Sequence, residues 1–157
     1  YNRRSGYGKL NTLKKDTTKK DCRIAICYLD INGLKEVNDR LGHDAGDELI
    51  QTVAEGIRLS IRGNDFVARL GGDEFLLVLD GLDEAGAEMV WDRILQKFER
   101  INAEENRAYV ISVSHGFAFH VCGMSGSVDT IVSQADVMMY KEKRETKKTL
   151  QVVRREE

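Results

Sequence analysis

The chain has 157 residues, which suits one domain with a proper core. It is 41% hydrophobic and 32% charged with a net charge of -2, an ordinary balance with no basic excess to suggest nucleic acid as a partner. No apolar run approaches membrane-spanning length and no signal-peptide pattern opens the sequence, so direct membrane contact is not expected.

Tyr1 to Lys20 is polar and basic, with Gly6 and Gly8, and reads as a flexible or frayed entry segment. Arg23 to Leu29 is a continuous apolar run without alternation, the mark of a central strand covered on both faces. It ends in Asp30-Ile31-Asn32-Gly33, which puts a carboxylate at the rim of a sheet; an Asx-type turn or helix cap would explain it equally. Leu34, Val37 and Leu41 recur at helical spacing, and Gly42 ends that short helix as a C′ residue would. A second helix starts near Asp44 to Asp47 and carries the stripe Leu49, Ile50, Val53, Ala54, Ile57 and Ile61.

Two apolar runs follow, Phe66 to Leu70 and Phe75 to Leu79, around Gly71-Gly72-Asp73-Glu74. They predict a hairpin. Adjacent carboxylates in its turn repel each other unless a cation lies close. The two glycines remove Cβ bulk, so an anion can approach the backbone. Carboxylates beside bare backbone suit a metal–nucleotide complex, because Mg²⁺ takes one or two protein carboxylates and fills its shell with phosphate oxygens. A solvated acidic turn is the alternative for these four residues alone.

Met89, Val90, Ile94, Phe98 and Ile101 mark a third amphipathic helix, with Trp91 at its edge. From Tyr109 to Phe119 the chain alternates, with Ile111, Val113, His115, Phe117 and Phe119 on one face, as a strand does. His115 reads as a hydrogen-bonded core residue. Ser127 can cap a last helix whose stripe is Val128, Ile131, Val132, Ala135, Met138 and Met139, both methionines reading as core filler. Lys141, Lys143, Arg144, Lys147 and Lys148 crowd its C-terminal end, where cations suit the helix dipole. Thr149 to Val153 is a candidate edge strand. The order β, α, α, β, β, α, β, α, β predicts an α/β fold, a mixed central sheet with a central hairpin and helices packed on it. The three cysteines, Cys22, Cys27 and Cys122, have no CxxC spacing and read as free thiols of a reducing compartment; with His43, His115 and His120 they form no zinc pattern.

Gly71-Gly72-Asp73-Glu74-Phe75 resembles the signature of the GGDEF family, the diguanylate cyclases that make cyclic di-GMP from two GTP molecules. Four further stretches are similar to that family in order and spacing. They are Tyr1-Asn2-Arg3-Arg4, the run Asp30 to Asp47, Arg62-x-x-Asp65 five residues before Gly71, and Ala135-Asp136-x-x-Met139-Tyr140 with Lys143. The resemblance implies one GGDEF-like catalytic domain over 1–157, with the ferredoxin-like palm of class III nucleotidyl cyclases. It also implies that an N-terminal regulatory or dimerising region belongs upstream, and that the domain is cytoplasmic, whether alone or attached to a membrane-bound protein.

By that resemblance Asp30, Asp73 and Glu74 are the catalytic carboxylates. With the carbonyl of Ile31 they bind Mg²⁺ or Mn²⁺. Lys35, Lys143 and Lys147 hold phosphate, Gly71 and Gly72 admit the triphosphate, and Asn38 and Asp47 read guanine. Arg62 and Asp65 form an inhibitory site for the product, although a surface Arg–Asp turn pair would look the same. The active form is a homodimer with GTP as substrate and cyclic di-GMP as product and inhibitor. Asn32 stands where many members have Asp, Leu34 where Phe is common, Lys147 where Arg is common and Glu142 where Ala is common. A point charge at Lys147 in place of a bidentate fork loosens the hold on phosphate; Glu142 could pair with a neighbouring cation. Two other readings keep the fold without turnover: a sensor of GTP or cyclic di-GMP, and a purely regulatory interaction domain.

Overall fold

β1 (Arg23–Ile31) is the strand on which the rest is hung, buried along all but its first residue. Seven of its nine residues are Ile, Ala, Cys, Tyr or Leu and both faces are apolar along most of their length, so the strand is stable only when both are covered. The computed structural model describes residues 1–15, 22–121 and 126–154. In chain order the remaining elements are α1 (Arg3–Lys15), α2 (Leu34–Leu41), α3 (His43–Arg58), β2 (Phe66–Arg69), β3 (Glu74–Asp80), α4 (Glu84–Glu104), β4 (Val113–Val121) and α5 (Val128–Lys147).

The four strands form one sheet in the order β2-β3-β1-β4, with each neighbouring pair antiparallel. β1 alternates into two cores. Ala25, Cys27, Leu29 and Ile31 face the larger one, built with α3 and α4; Ile24, Ile26 and Tyr28 face a smaller one built with α1 and α5. Asp30 follows Tyr28 by two residues and so lies on the α5 side of the sheet. α5 packs hard on β4, because a Cβ at Gly116 would collide with the backbone of Ala135 and Met139. Two of the expected helix boundaries rest on named atoms. Gly42 takes φ 94 and its N–H bonds the Asn38 carbonyl, while Ser127 accepts from Thr130 N at 3.2 Å.

Several sequence expectations need correction. The entry segment is the helix α1 over Arg3–Lys15, anchored by buried Leu10 and Gly6; Asp16 to Lys20 lie outside the described residues. Its apolar positions are too few to stand out, and tertiary packing supplies the stability. Trp91 is not at a helix edge but 2% exposed, stacked on His115 with ring centroids 4.0 Å apart. Of the two methionines Met139 is buried and Met138 is 48% exposed, since adjacent residues on a helix face different ways. Tyr109 to Ser112 does not belong to β4; there the last segment joins through the isolated Tyr109–Val153 bridge, with Val110 N donating to the Val152 carbonyl at 2.6 Å and Arg154 N to the Ala108 carbonyl at 2.8 Å, and Thr149 to Val153 forms no strand of the sheet. The hairpin β2–β3 is present, but β2 is an edge and β1 with β3 is the centre. Finally, Cys27 is a free buried thiol, pushed well above the usual range by burial, whereas Cys22 is disulfide-bonded. Cys122 lies outside the described residues. Antiparallel pairing of Arg23 with Val121 brings the start of β1 beside the end of β4, a proximity that spacing along the chain does not reveal.

No helix among the described residues is long and apolar enough to cross a membrane.

Candidate active site

The β1–β3 register sets Asp30 directly opposite Glu74. Asp73 precedes Glu74 in the turn, and its carbonyl accepts from Ile31 N at 2.8 Å, which ties the turn to the end of β1. Arg69 fixes the turn from below, donating to the carbonyls of Gly71 and Gly72 at 3.0 Å each, and Leu70 N donates to the Glu74 carbonyl at 2.8 Å. The outcome is a carboxylate triad in which Asp30, Asp73 and Glu74 each offer an oxygen within 4.8 Å of the others. Like charges directly across a strand pair are destabilising, so the arrangement calls for positive charge or donors between them.

Two side chains answer part of that demand. Lys143, on α5, donates to Asp30 Oδ2 at 2.6 Å. Tyr28 donates its hydroxyl to Glu74 Oε2 at 2.8 Å. The demand is not met in full. Asp30 Oδ1 is buried with no hydrogen-bond partner among the described residues. Burial pushes the Asp30 carboxyl up to about 6 despite the Lys143 bond, and the neighbouring charge of Asp73 adds to the rise. A buried carboxylate oxygen without a partner, in a set of three hard oxygen donors, fits a divalent cation such as Mg²⁺.

The other candidate residues surround this rim. Lys35 and Asn38 lie on α2 and Asp47 on α3. Asn38 is pinned by its neighbour on α3: a Cβ at Gly46 would overlap Asn38 Oδ1, so only glycine lets that amide sit where it does. Lys35 and Asp47 are exposed, as is Lys147 one helical turn beyond Lys143. Gly71 and Gly72 are exposed, and a Cβ at Gly72 would meet nothing within 4 Å. The protein's own packing therefore does not require glycine there.

Arg62 and Asp65 sit at the opposite end of the hairpin. Asp65 is buried, and its carboxylate accepts from Arg62 N and Asp80 N at 3.0 Å each, closing the turn that leads into β2. Arg62 is exposed.

Three features near the rim were not foreseen. Tyr28 reaches Glu74 diagonally across the β1–β3 pair; the alternation of β1, which puts it on the Asp30 face, was the available signal. Among the described residues Glu142 does not pair with a lysine or arginine. Its Oε1 accepts from the His115 backbone N at 3.0 Å and lies 2.9 Å from His115 Nδ1, so it caps the outer edge of β4. Asn32 donates to Ser112 Oγ at 2.9 Å and accepts from Ser114 Oγ at 3.0 Å, a latch between the β1 end and β4 that keeps its side chain out of the carboxylate triad.

The family model "Diguanylate cyclase, GGDEF domain" matches residues 1–149. Diguanylate cyclase DgcP of Escherichia coli is 30% identical over 149 residues, 94% of this chain and 43% of that protein. The chain thus spans under half the length of that relative. The crystal structure of the GGDEF domain of TpbB from Pseudomonas aeruginosa superposes with a TM-score of 0.82 at 32% identity, covering 92% of this chain and 91% of that one. The coiled coil and GGDEF domain of DgcB from Caulobacter crescentus, solved in complex with c-di-GMP, gives 0.77 at 26% identity, covering 92% of this chain and 76% of that one. The chain belongs to the GGDEF family.

Proposed function

We propose that this GGDEF domain is a diguanylate cyclase that condenses two GTP into cyclic di-GMP and two pyrophosphates as a homodimer in the cytoplasm. The observation that carries the reading is the triad itself, with the buried, unpartnered Oδ1 of Asp30 at its centre. Asp30, Asp73 and Glu74, with the Ile31 carbonyl, would hold Mg²⁺ or Mn²⁺. When bound, the ion supplies charge neutralisation at the phosphates and favours the ionised 3′-hydroxyl of the attacking GTP.

In each half-reaction the 3′-oxygen of one GTP forms a bond to the α-phosphorus of the other. The bond from that phosphorus to its bridging oxygen breaks, and pyrophosphate leaves. The hydroxyl proton passes to Glu74 or to solvent. Lys35 and Lys143 hold the β and γ oxygens, and Lys147 adds a third, looser charge. Lys143, which meets Asp30 in the free chain, would exchange that carboxylate for phosphate on binding substrate. Asn38 and Asp47 read guanine: a carboxylate accepts the N1–H and 2-amino pair that adenine lacks, so GTP is preferred over ATP. One domain supplies one GTP, so two domains related by a two-fold axis make one product. Arg62 and Asp65 form the product-inhibition site; with both Asp65 oxygens already holding backbone N–H groups, Arg62 makes the principal contact.

The test is incubation with GTP and Mg²⁺, followed by nucleotide chromatography. The expected result is cyclic di-GMP from the native protein and none from Asp73→Asn. A protein that binds GTP yet yields no dinucleotide at any protein concentration would instead be a sensor. The Lys143–Asp30 pair, which can serve as the site's standing counter-charge, favours that second reading.

A further inference from the structure

Glu74 differs from Asp30, which meets the Lys143 ammonium, in having a neutral donor as its partner. Tyr28 is 6% exposed, and its ring is held in the smaller core beside Ile26 and Leu76. Its hydroxyl is therefore fixed in space and meets Glu74 Oε2 at 2.8 Å with little competition from water. The charged groups that act on this hydroxyl besides Glu74 are Asp136 of α5 and Arg3 of α1. Among the described residues neither hydrogen-bonds Tyr28, and the phenol's bond goes to Glu74. A phenylalanine would fill the same core volume equally well. The hydroxyl is what packing leaves unexplained.

We propose that Tyr28 is a positioning residue for the metal-binding carboxylate of Glu74, holding Oε2 so that the other oxygen, Oε1, is the one presented to a cation beside Asp30 and Asp73. The inference rests on the cyclase reading of the triad. Mg²⁺ demands near-ideal octahedral geometry and takes carboxylates through one oxygen, whereas Ca²⁺ accepts bidentate carboxylates and irregular shells. A Glu74 tethered through Oε2 suits the first and disfavours the second. Tyr28 thus contributes to the choice of ion as well as to its affinity, as partners behind metal ligands do elsewhere.

The experiment compares the native full chain, Tyr28→Phe, Glu74→Gln and the double variant. Mn²⁺ and Ca²⁺ affinities are measured by titration calorimetry, with Mn²⁺ repeated by electron paramagnetic resonance. A GTP analogue carrying a methylene bridge between the α and β phosphorus atoms is present, so no turnover occurs. The expected result is about tenfold weaker Mn²⁺ binding in Tyr28→Phe, by analogy with other residues that orient metal ligands. Ca²⁺ affinity should be unchanged or improved, and Tyr28→Phe should have no further effect in the Glu74→Gln background. Equal Mn²⁺ affinity in the native protein and Tyr28→Phe overturns the proposal. So does an equal loss for both ions that persists in Glu74→Gln, since that is a packing defect and not positioning. Native protein that binds no Mn²⁺ overturns it as well. Failure of the cyclase reading shows separately, as Mn²⁺ bound with no dinucleotide formed from GTP.

Discussion

The two ends of the β2–β3 hairpin both carry acids, and they treat them in opposite ways. At the Arg62–Asp65 end the Asp65 carboxylate is buried and each oxygen accepts a backbone N–H, one from Arg62 and one from Asp80. At the Gly71–Glu74 end three carboxylates converge, and Asp30 keeps a buried oxygen without any partner among the described residues. The seven residues of β3 set these ends about 20 Å apart at ~3.4 Å per residue. One acid has been used to build the fold; the others are held against their own repulsion by the fold. The comparison teaches that a buried carboxylate is informative only once its partners are counted: Asp65 is complete without a ligand, and Asp30 is not.

The contrast can be broken most sharply at the triad. Asp73→Asn should lower cyclic di-GMP formation by on the order of a hundredfold or more, because an ion's share in charge stabilisation is several kcal/mol. Its denaturation midpoint should hold or rise, since a repelling charge is removed. Loss of folding in this variant would mean that Asp73 is structural after all. At the other end the signs reverse. Asp65→Ala leaves two backbone donors without their acceptor and should cost about 2–4 kcal/mol of stability by urea denaturation, at roughly 1–2 kcal/mol per bond. Arg62→Ala should stay within about 0.5 kcal/mol of native and raise the cyclic di-GMP concentration needed for inhibition.

pH sharpens the same comparison. Burial, reinforced by Asp73, raises the Asp30 carboxyl from 3.8 to about 6. The folded state binds this proton more tightly than the unfolded chain does. The stability it contributes is therefore complete below 3.8 and is lost as pH rises through about 6. Without metal, native protein should be less stable at pH 7 than at pH 5 by denaturant titration, and Asp30→Asn should flatten that difference. Mg²⁺ affinity should run the other way and strengthen as pH rises past 6, because the ion competes with the proton. A smaller effect on the nucleotide reaction than at the triad is expected at Gly46→Ala. The new methyl displaces the Asn38 amide and should reduce GTP-over-ATP discrimination by about tenfold, roughly 1.4 kcal/mol. Equal discrimination would remove Asn38 from base recognition.

Much of the fold was legible because it is periodic. The unbroken apolar run of β1 announced a strand covered twice, Gly42 and Ser127 marked helix ends through local backbone chemistry, and Gly71-Gly72-Asp73-Glu74 announced its turn. The entry helix was not legible, because its few apolar residues gain meaning only against β2 and α5. Nor were the burial of Trp91, the exposure of Met138 or the bonding of Cys22, each of which depends on what lies across the sheet. For the candidate site, the sequence alone determined which residues carry charge and which strand ends they occupy, since side-chain type and alternation are local properties. Only the tertiary structure decided that Asp30 faces Glu74, that Lys143 and Tyr28 each take one member of the triad, and that Asp65 is already satisfied. Those facts follow from strand register and helix docking, which join residues far apart in the chain and are fixed by the packing of the whole domain.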